Sequence, residues 1–344
     1  MIITTYAYPR AALIGNPSDG YFGRTIAFVF KNYYASAQVY ETPELKLLPC
    51  SRDKDEFANL RDLDEQIGSF GYYGGMRLLK AALRQFYKYC NTNNIALADK
   101  NFTMRYESNI PNRLGLAGSS AIITAAMRAV CKFYGVECSN AVLANIVLAA
   151  ERDELSIPAG LQDRVAQAFN HPVYMDFDRE HMEKYGYGIY RKIDIPQDIN
   201  WYIAYRTDLA EGSEILHSRL RGDFEMGVPK VLDAVREWAE LTEKMRIALE
   251  SGDYAAVPVL INRNFDLRCE VCADSISANN RKMVEIARQC GASAKFTGSG
   301  GAIIGTYEND AMFEQMRREL GKFKVEIIRP QIVTGGEASC ETLS

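Results

Sequence analysis

Short alternating runs and longer helical periods divide the chain into a mixed series of strands and helices. Residues 6–14 read as a strand that runs into the turn cluster Gly15-Asn-Pro-Ser-Asp-Gly20. Residues 25–40 are rich in β-branched and aromatic side chains and read as a strand. Residues 41–70 are polar and charged with weak strand signals, and no role attaches to residues 50–64. Gly71-Tyr-Tyr-Gly-Gly75 opens a helix over 76–89, whose apolar residues recur at helical spacing, and Asn91-Thr-Asn-Asn94 ends it. A strand over 101–110 and an apolar helix over 121–134 flank a loop of small residues. Ser139 is placed to cap a helix that carries Glu151 and runs to Leu155. Pro158-Ala-Gly-Leu-Gln-Asp163 interrupts the pattern before a helix over 164–169. Strands are expected over 187–195, 201–206, 303–307 and 325–328, and helices over 227–250, 254–271, 280–290 and 311–322. A second loop of small residues fills 291–302, and the tail from Thr334 is expected to be loose. No repeat or low-complexity segment is present.

At 344 residues and 47% hydrophobic, the chain is long enough for two domains and a large core. The boundary is expected near Pro196, giving domains 1–195 and 196–344. A net charge of −4 argues against nucleic acid or an anionic membrane as the main partner. No apolar run reaches membrane-span length, and the N-terminus lacks the basic and apolar regions of a signal peptide. The eight cysteines then read as reduced thiols of a cytoplasmic protein. Cys269 and Cys272 form a lone Cys-x-x-Cys pair, and the three histidines, His171, His181 and His217, are scattered. Neither pattern suits a zinc site or a Ser-His-Asp triad.

The candidate chemistry centres on Pro111-Asn-Arg-Leu-Gly-Leu-Ala-Gly-Ser-Ser-Ala121, between a strand and a helix. Small residues let a ligand approach the backbone, and the first turn of a helix offers unpaired N–H groups and the positive end of the dipole. Such a loop favours an anion, most often phosphate. It is not a Walker A loop, because no Lys-Ser or Lys-Thr follows the glycines.

This loop resembles the second motif of the GHMP small-molecule kinases. Arg10-Ala-Ala-Leu-Ile-Gly-Asn-Pro-Ser-Asp19 resembles their first motif, with Asn16-Pro17 where galactokinases carry Glu-His. Gly291-Ala-Ser-Ala-Lys-Phe-Thr-Gly-Ser-Gly-Gly-Ala302 resembles the third, a loop that closes the active site. All three occur in family order. Flanking words such as Gly15–Thr25, Ala159–Gln167 and Lys295–Ala302 are similar to those of the family's glucuronokinase branch. The resemblance implies an α+β two-domain GHMP kinase fold, with an N-terminal ribosomal-protein-S5-like domain and a C-terminal ferredoxin-like domain. It further implies a cytoplasmic sugar 1-kinase, monomer or homodimer, using ATP and Mg²⁺ on a small sugar acid, D-glucuronate.

The resemblance also assigns roles. Pro111, Gly115, Leu116, Ala117, Gly118, Ser119, Ser120 and Ala121 would form the ATP phosphate site. Glu151 and Ser120, the serine nearer the apolar helix, would hold magnesium, with Ser119 capping or touching phosphate. Asp163 would face the reacting hydroxyl, and Arg10 would pair with it and stabilise the transferring phosphoryl. Asp19 and Tyr21 would contact the sugar, and Thr297, Gly298, Ser299 and Gly300 would close over it. A substrate carboxylate needs a cation, and Arg binds carboxylate bidentately. Arg24 is the first candidate, with Arg77 and Arg164 behind it. The alternatives are another sugar 1-kinase, for galacturonate, fucose or a heptose, or a non-catalytic sensor on the same fold.

Overall fold

The computed structural model describes residues 1–50, 53, 57–62, 74–112, 114–207, 214–335 and 340–343. Residues 71–73 of the helix-opening word, Arg113 and most of 51–73 lie outside the described residues. The described chain is an α+β arrangement of three sheets flanked by helices.

The first sheet is built on β1 (Ile2–Ala7), whose alternating burial turns Ile3, Thr5 and Ala7 inward. β4 (Ala35–Thr42) pairs antiparallel with β1, and β6 (Asn101–Ser108) pairs antiparallel with β4. β5 (Lys46–Leu48) adds a parallel edge beside β6. The inner face carries α2 (Gly118–Tyr134), and the Thr5 hydroxyl donates to Ala125 O at 2.6 Å. α1 (Met76–Thr92) lies on α2, with the rings of Phe86 and Tyr134 stacked at 5.9 Å. Asp53 ties α1 to this sheet by accepting from Tyr106 Oη at 2.6 Å and from Gly75 N at 2.5 Å.

The second sheet runs β2 (Arg10–Ile14), β3 (Arg24–Val29), β7 (Val173–Asp176), β8 (Ile189–Lys192), antiparallel throughout. Every position of β2 is buried, because helices α4 (Leu161–Phe169) and α7 (Pro229–Ser251) pack against this sheet. The third sheet runs β10 (Lys295–Phe296), β11 (Ala302–Thr306), β9 (Trp201–Arg206), β12 (Val325–Ile328). α8 (Ala256–Cys272) and α9 (Ala278–Gln289) pack on β11, and α10 (Asp310–Gly321) on β12. The remaining helices are α3 (Asn140–Ala149), α5 (Arg179–Tyr185) and α6 (Glu214–Glu225). No described helix is long and apolar enough to cross a membrane.

The expected single strand over 6–14 is two strands in different sheets. They are separated at Pro9, which has no N–H to donate and a fixed φ. The expected strand over 25–40 likewise splits into β3 and β4. The tail is not loose throughout: β13 (Cys340–Leu343) pairs antiparallel with β1, Ile2 opposite Leu343. α2 begins at Gly118, three residues before its apolar period suggests. α4 begins at Leu161, so the chain break falls before Asp163, which sits in the helix's first turn.

Motif one is moored to the helical layer by Asn264 of α8, which is 2% exposed. Its Oδ1 accepts from Gly15 N at 2.7 Å and its Nδ2 donates to Asn16 O at 3.1 Å. Trp238, fully buried on α7, donates to the Asn264 carbonyl at 3.2 Å. Asn264→Ala orphans two buried backbone groups, each costing about 1–3 kcal/mol. Urea unfolding should show a loss of that order, and an unchanged midpoint would remove Asn264 from the support of this turn.

Candidate active site

Two loops meet on β2. Arg10 N donates to Leu116 O at 3.0 Å, and Ala12 N donates to Thr297 O at 3.0 Å. One short strand thus carries the phosphate loop on one residue and the third-motif loop two residues later. The two loops also touch directly. A Cβ on Gly115 would lie 2.8 Å from Gly300 O, and one on Gly298 would lie 2.8 Å from Gly115 O. Backbone this close leaves no room for side chains.

The Arg10 side chain is buried and faces the same junction. Its guanidinium is 2.5 Å from Asp163 Oδ1 and also donates to Thr297 O. Asp163 is partly exposed, at 19% of its side chain, and its second oxygen lies 3.2 Å from Arg164. Arg164 donates Nε to Glu151 Oε2 at 2.6 Å, with Nη2 on the same oxygen, and Nη1 to Gly160 O at 2.8 Å. Glu151 is fully buried in a π turn that continues α3, and its other oxygen accepts from Ser119 Oγ at 2.6 Å. The result is an unbroken alternation of charge: Arg10, Asp163, Arg164, Glu151, then the Ser119 hydroxyl.

The hydroxyl that meets Glu151 is that of Ser119, not Ser120. Ser120 is fully buried, and its Oγ donates back to Ala117 O at 3.1 Å. The helix starts at Gly118, so the two serines occupy consecutive positions of its first turn, about 100° apart around the axis. Ala117 precedes the helix in the left-handed conformation, φ 62°. Its carbonyl also accepts from Gln167 Nε2 at 2.9 Å, and the same Nε2 reaches Tyr8 O at 3.1 Å. The first turn, whose N–H groups have no partner within the helix, therefore begins directly beside Glu151.

Asp19 and Tyr21 lie on one 3-10 turn, Ser18–Tyr21. A Cβ on Gly160, three residues before Asp163, would sit 2.8 Å from Asp19 Oδ2, so Asp19 borders the charge chain. Tyr21 is buried, its ring 5.1 Å from that of Phe224 on α6. Arg24 is engaged elsewhere: its Nε donates to Asp176 Oδ2 at 2.7 Å. Arg77 lies exposed on α1, and Arg164 is spoken for by Glu151 and Gly160. Thr297 accepts from Arg10 and Ala12, while Gly298 O and Ser299 O accept from Arg268 at 2.8 and 2.7 Å.

The sequence assigns no role to four supporting residues: Gln167, Asn264, Arg268 and Lys295. Lys295 is 1% exposed and donates to Ala12 O at 2.7 Å and Phe296 O at 2.9 Å. Burial, then the guanidiniums of Arg268 and Arg10, hold its amine well below the usual lysine range. Lys295 and Gln167 both lie in words already singled out, at Lys295–Ala302 and Ala159–Gln167. Their partners are backbone carbonyls, which leave no mark in sequence.

The donor chemistry of Ser119 and Glu151, a hydroxyl beside a buried carboxylate, fits a hard cation that keeps several waters and takes few protein ligands. A helix N-terminus and a partly exposed carboxylate held between two arginines together suit phosphoryl transfer.

Family models agree with this geometry. Residues 77–171 match the GHMP kinases N terminal domain, and residues 245–326 match the GHMP kinases C terminal model. The chain is 44% identical over 303 residues to probable glucuronokinase 2 of Arabidopsis thaliana, covering 87% of this chain and 82% of that protein. Glucuronokinase 1 of the same plant is 41% identical over 302 residues, covering 87% and 83%. The phosphomevalonate kinase of Streptococcus pneumoniae superposes with a TM-score of 0.74 at 13% identity, over 97% of this chain and all of that one (100%), a likeness of fold. The chain belongs to the GHMP kinases.

Asp19 gives the site a pH signature. Burial first, and then the charge of Asp163, push its carboxyl up to about 7, while Arg10 pulls it back. The folded protein then keeps a proton that the unfolded chain has already released. Stability therefore falls as pH rises from the ordinary carboxylate range through about 7. Asp19→Asn should flatten that decline. Urea midpoints measured at about pH 5 and about pH 8 check it: parallel declines in both proteins would show Asp19 to be freely solvated.

Proposed function

We propose that this chain is an ATP-dependent sugar 1-kinase that transfers the γ-phosphoryl group to the anomeric hydroxyl of D-glucuronate, giving glucuronate 1-phosphate and ADP. Membership of the GHMP kinases supports the reaction class. Identity of 44% and 41% to two plant proteins named as glucuronokinases supports the acceptor. The observation that carries the chemistry is the chain from Arg10 through Asp163, Arg164 and Glu151 to Ser119, at the first turn of α2.

Phosphoryl transfer is mostly positioning and neutralisation of charge. The N–H groups from Leu116 to Ser120, with Pro111, Gly115 and Ala121 shaping the loop, hold the β- and γ-phosphates at the positive end of α2. The sugar O1 attacks phosphorus as the bridging bond to the β-phosphate breaks. Its proton passes to Asp163, and ADP carries away the bridging oxygen. Arg10 sits where it can offset negative charge on the transferring group while holding Asp163 in place. Ser119 and Glu151 would hold Mg²⁺, which when bound with ATP supplies further charge neutralisation at the phosphates. Asp19 accepts hydrogen bonds from sugar hydroxyls, Tyr21 walls the ring, and the loop from Thr297 to Gly300 closes over the reacting groups.

Coupled ADP release against D-glucuronate, D-galacturonate, D-glucose, D-galactose, L-fucose and mevalonate should give turnover with D-glucuronate. Turnover with a neutral sugar alone would discard the acceptor and keep the reaction class. In the same assay Asp163→Asn should lower kcat by about 10²–10⁴-fold, the usual worth of a positioned proton acceptor, with ATP affinity retained. Unimpaired turnover in that variant would take the proton-accepting role away from Asp163.

A further inference from the structure

A glucuronate acceptor differs from glucose at one carbon, where a carboxylate replaces a hydroxymethyl group. The residue that reads this difference must be a cation on the sugar side of Asp163, with hydrogen-bonding capacity to spare. The cations around Asp19 and Tyr21 are almost all committed. Arg10 is held by Asp163 and Thr297 O, and Arg164 by Glu151 and Gly160 O. Arg268 is buried, with both terminal nitrogens on the carbonyls of Gly298 and Ser299. Lys295 is buried on two carbonyls, and Arg24 lies on Asp176.

Arg221 is different. It is exposed on α6 and makes no hydrogen bond or ion pair among the described residues. It lies three residues before Phe224 on the same helix, so the two side chains share a face. The Phe224 ring rests 5.1 Å from that of Tyr21, and Tyr21 shares its turn with Asp19. Burial raises the Tyr21 hydroxyl above the usual tyrosine range, and the charge of Arg221 pulls it back. The turn Ser18–Tyr21 therefore runs from Asp19, against Gly160 and the start of the Asp163 helix, to Tyr21, against the helix that carries Arg221.

We propose that Arg221 receives the carboxylate of the sugar acid and sets the acceptor specificity of this kinase. Phe224 places its helix against Tyr21, and the sugar ring bridges from Arg221 to Asp163 across the Asp19–Tyr21 turn. The planar fork of the guanidinium matches a carboxylate with two parallel hydrogen bonds, which an ammonium cannot reproduce. This role rests on the sugar-acid reading above.

The test compares D-glucuronate with D-glucuronamide, its uncharged isostere, in wild type, Arg221→Ala and Arg221→Lys. In Arg221→Ala the KM for D-glucuronate should rise about 10- to 100-fold, the worth of a charge-assisted bidentate contact, with kcat and ATP affinity nearly unchanged. The preference for the acid over the amide should disappear, and Arg221→Lys should restore part of it. The position is exposed, so thermal midpoints should match wild type, and titration of D-glucuronate onto the protein should follow the KM change. A wild type active on D-glucuronate whose Arg221→Ala variant keeps its KM overturns the role of Arg221 alone. A wild type that turns over only neutral sugars overturns the acceptor, and this role with it.

Discussion

The ion pair between Arg10 and Asp163 is the constraint on which the rest of the site depends. Arg10 stands at the first position of β2, with its backbone on Leu116 and its side chain on both the Asp163 carboxylate and the third-motif loop. Strand, helix and loop come from parts of the chain far apart in sequence, and one side chain sets their distances. A buried pair of this kind contributes little net stability, because desolvation offsets its Coulombic gain. Removing one partner is costly, because the other is left as an uncompensated charge. Its value lies in fixing one arrangement of three loops.

From that pair the charges propagate in alternation to Glu151 and the Ser119 hydroxyl. Each carboxylate oxygen faces a donor, so the charge of two carboxylates beside the start of α2 is locally balanced. On the other side, Arg268 and Lys295 gather beneath the third loop with backbone carbonyls as partners. Burial, and then the charges of Arg268 and Arg10, lower the proton affinity of Lys295, which joins Ala12 to Phe296 as a hydrogen-bond donor. The two halves of the chain are thus joined at the site by hydrogen bonds to the main chain as much as by apolar packing.

The three loops were legible in the sequence because their chemistry is local. Glycine, serine and the Pro-x-Gly-x-x-Asp spacing act over a few residues, and the family likeness singled out Arg10, Glu151 and Asp163, which the fold brings into one chain of contacts. The choice between Ser119 and Ser120 was not legible. It depends on helical phase, and the apolar period begins three residues after the helix does. Arg24 read as free because its partner, Asp176, arrives only through the pairing of β3 with β7. Arg221 went unnoticed for the converse reason: nothing near it in sequence indicates that Phe224 will meet Tyr21. The division of the first strand at Pro9 could have been read from the missing N–H, whereas β13 is fixed only by its partner β1.

The contact between the phosphate loop and the third-motif loop has a consequence for how this enzyme can change over generations. Gly115 and Gly298 each lie within van der Waals reach of the other loop's carbonyls. Neither position can accept a methyl group while the opposite loop stays where it is, and Gly115 also holds a positive φ of 66°. The two are therefore constrained as a pair although they belong to distant parts of the chain. Drift is closed at both, and a change in either loop must keep the opposite glycine in place.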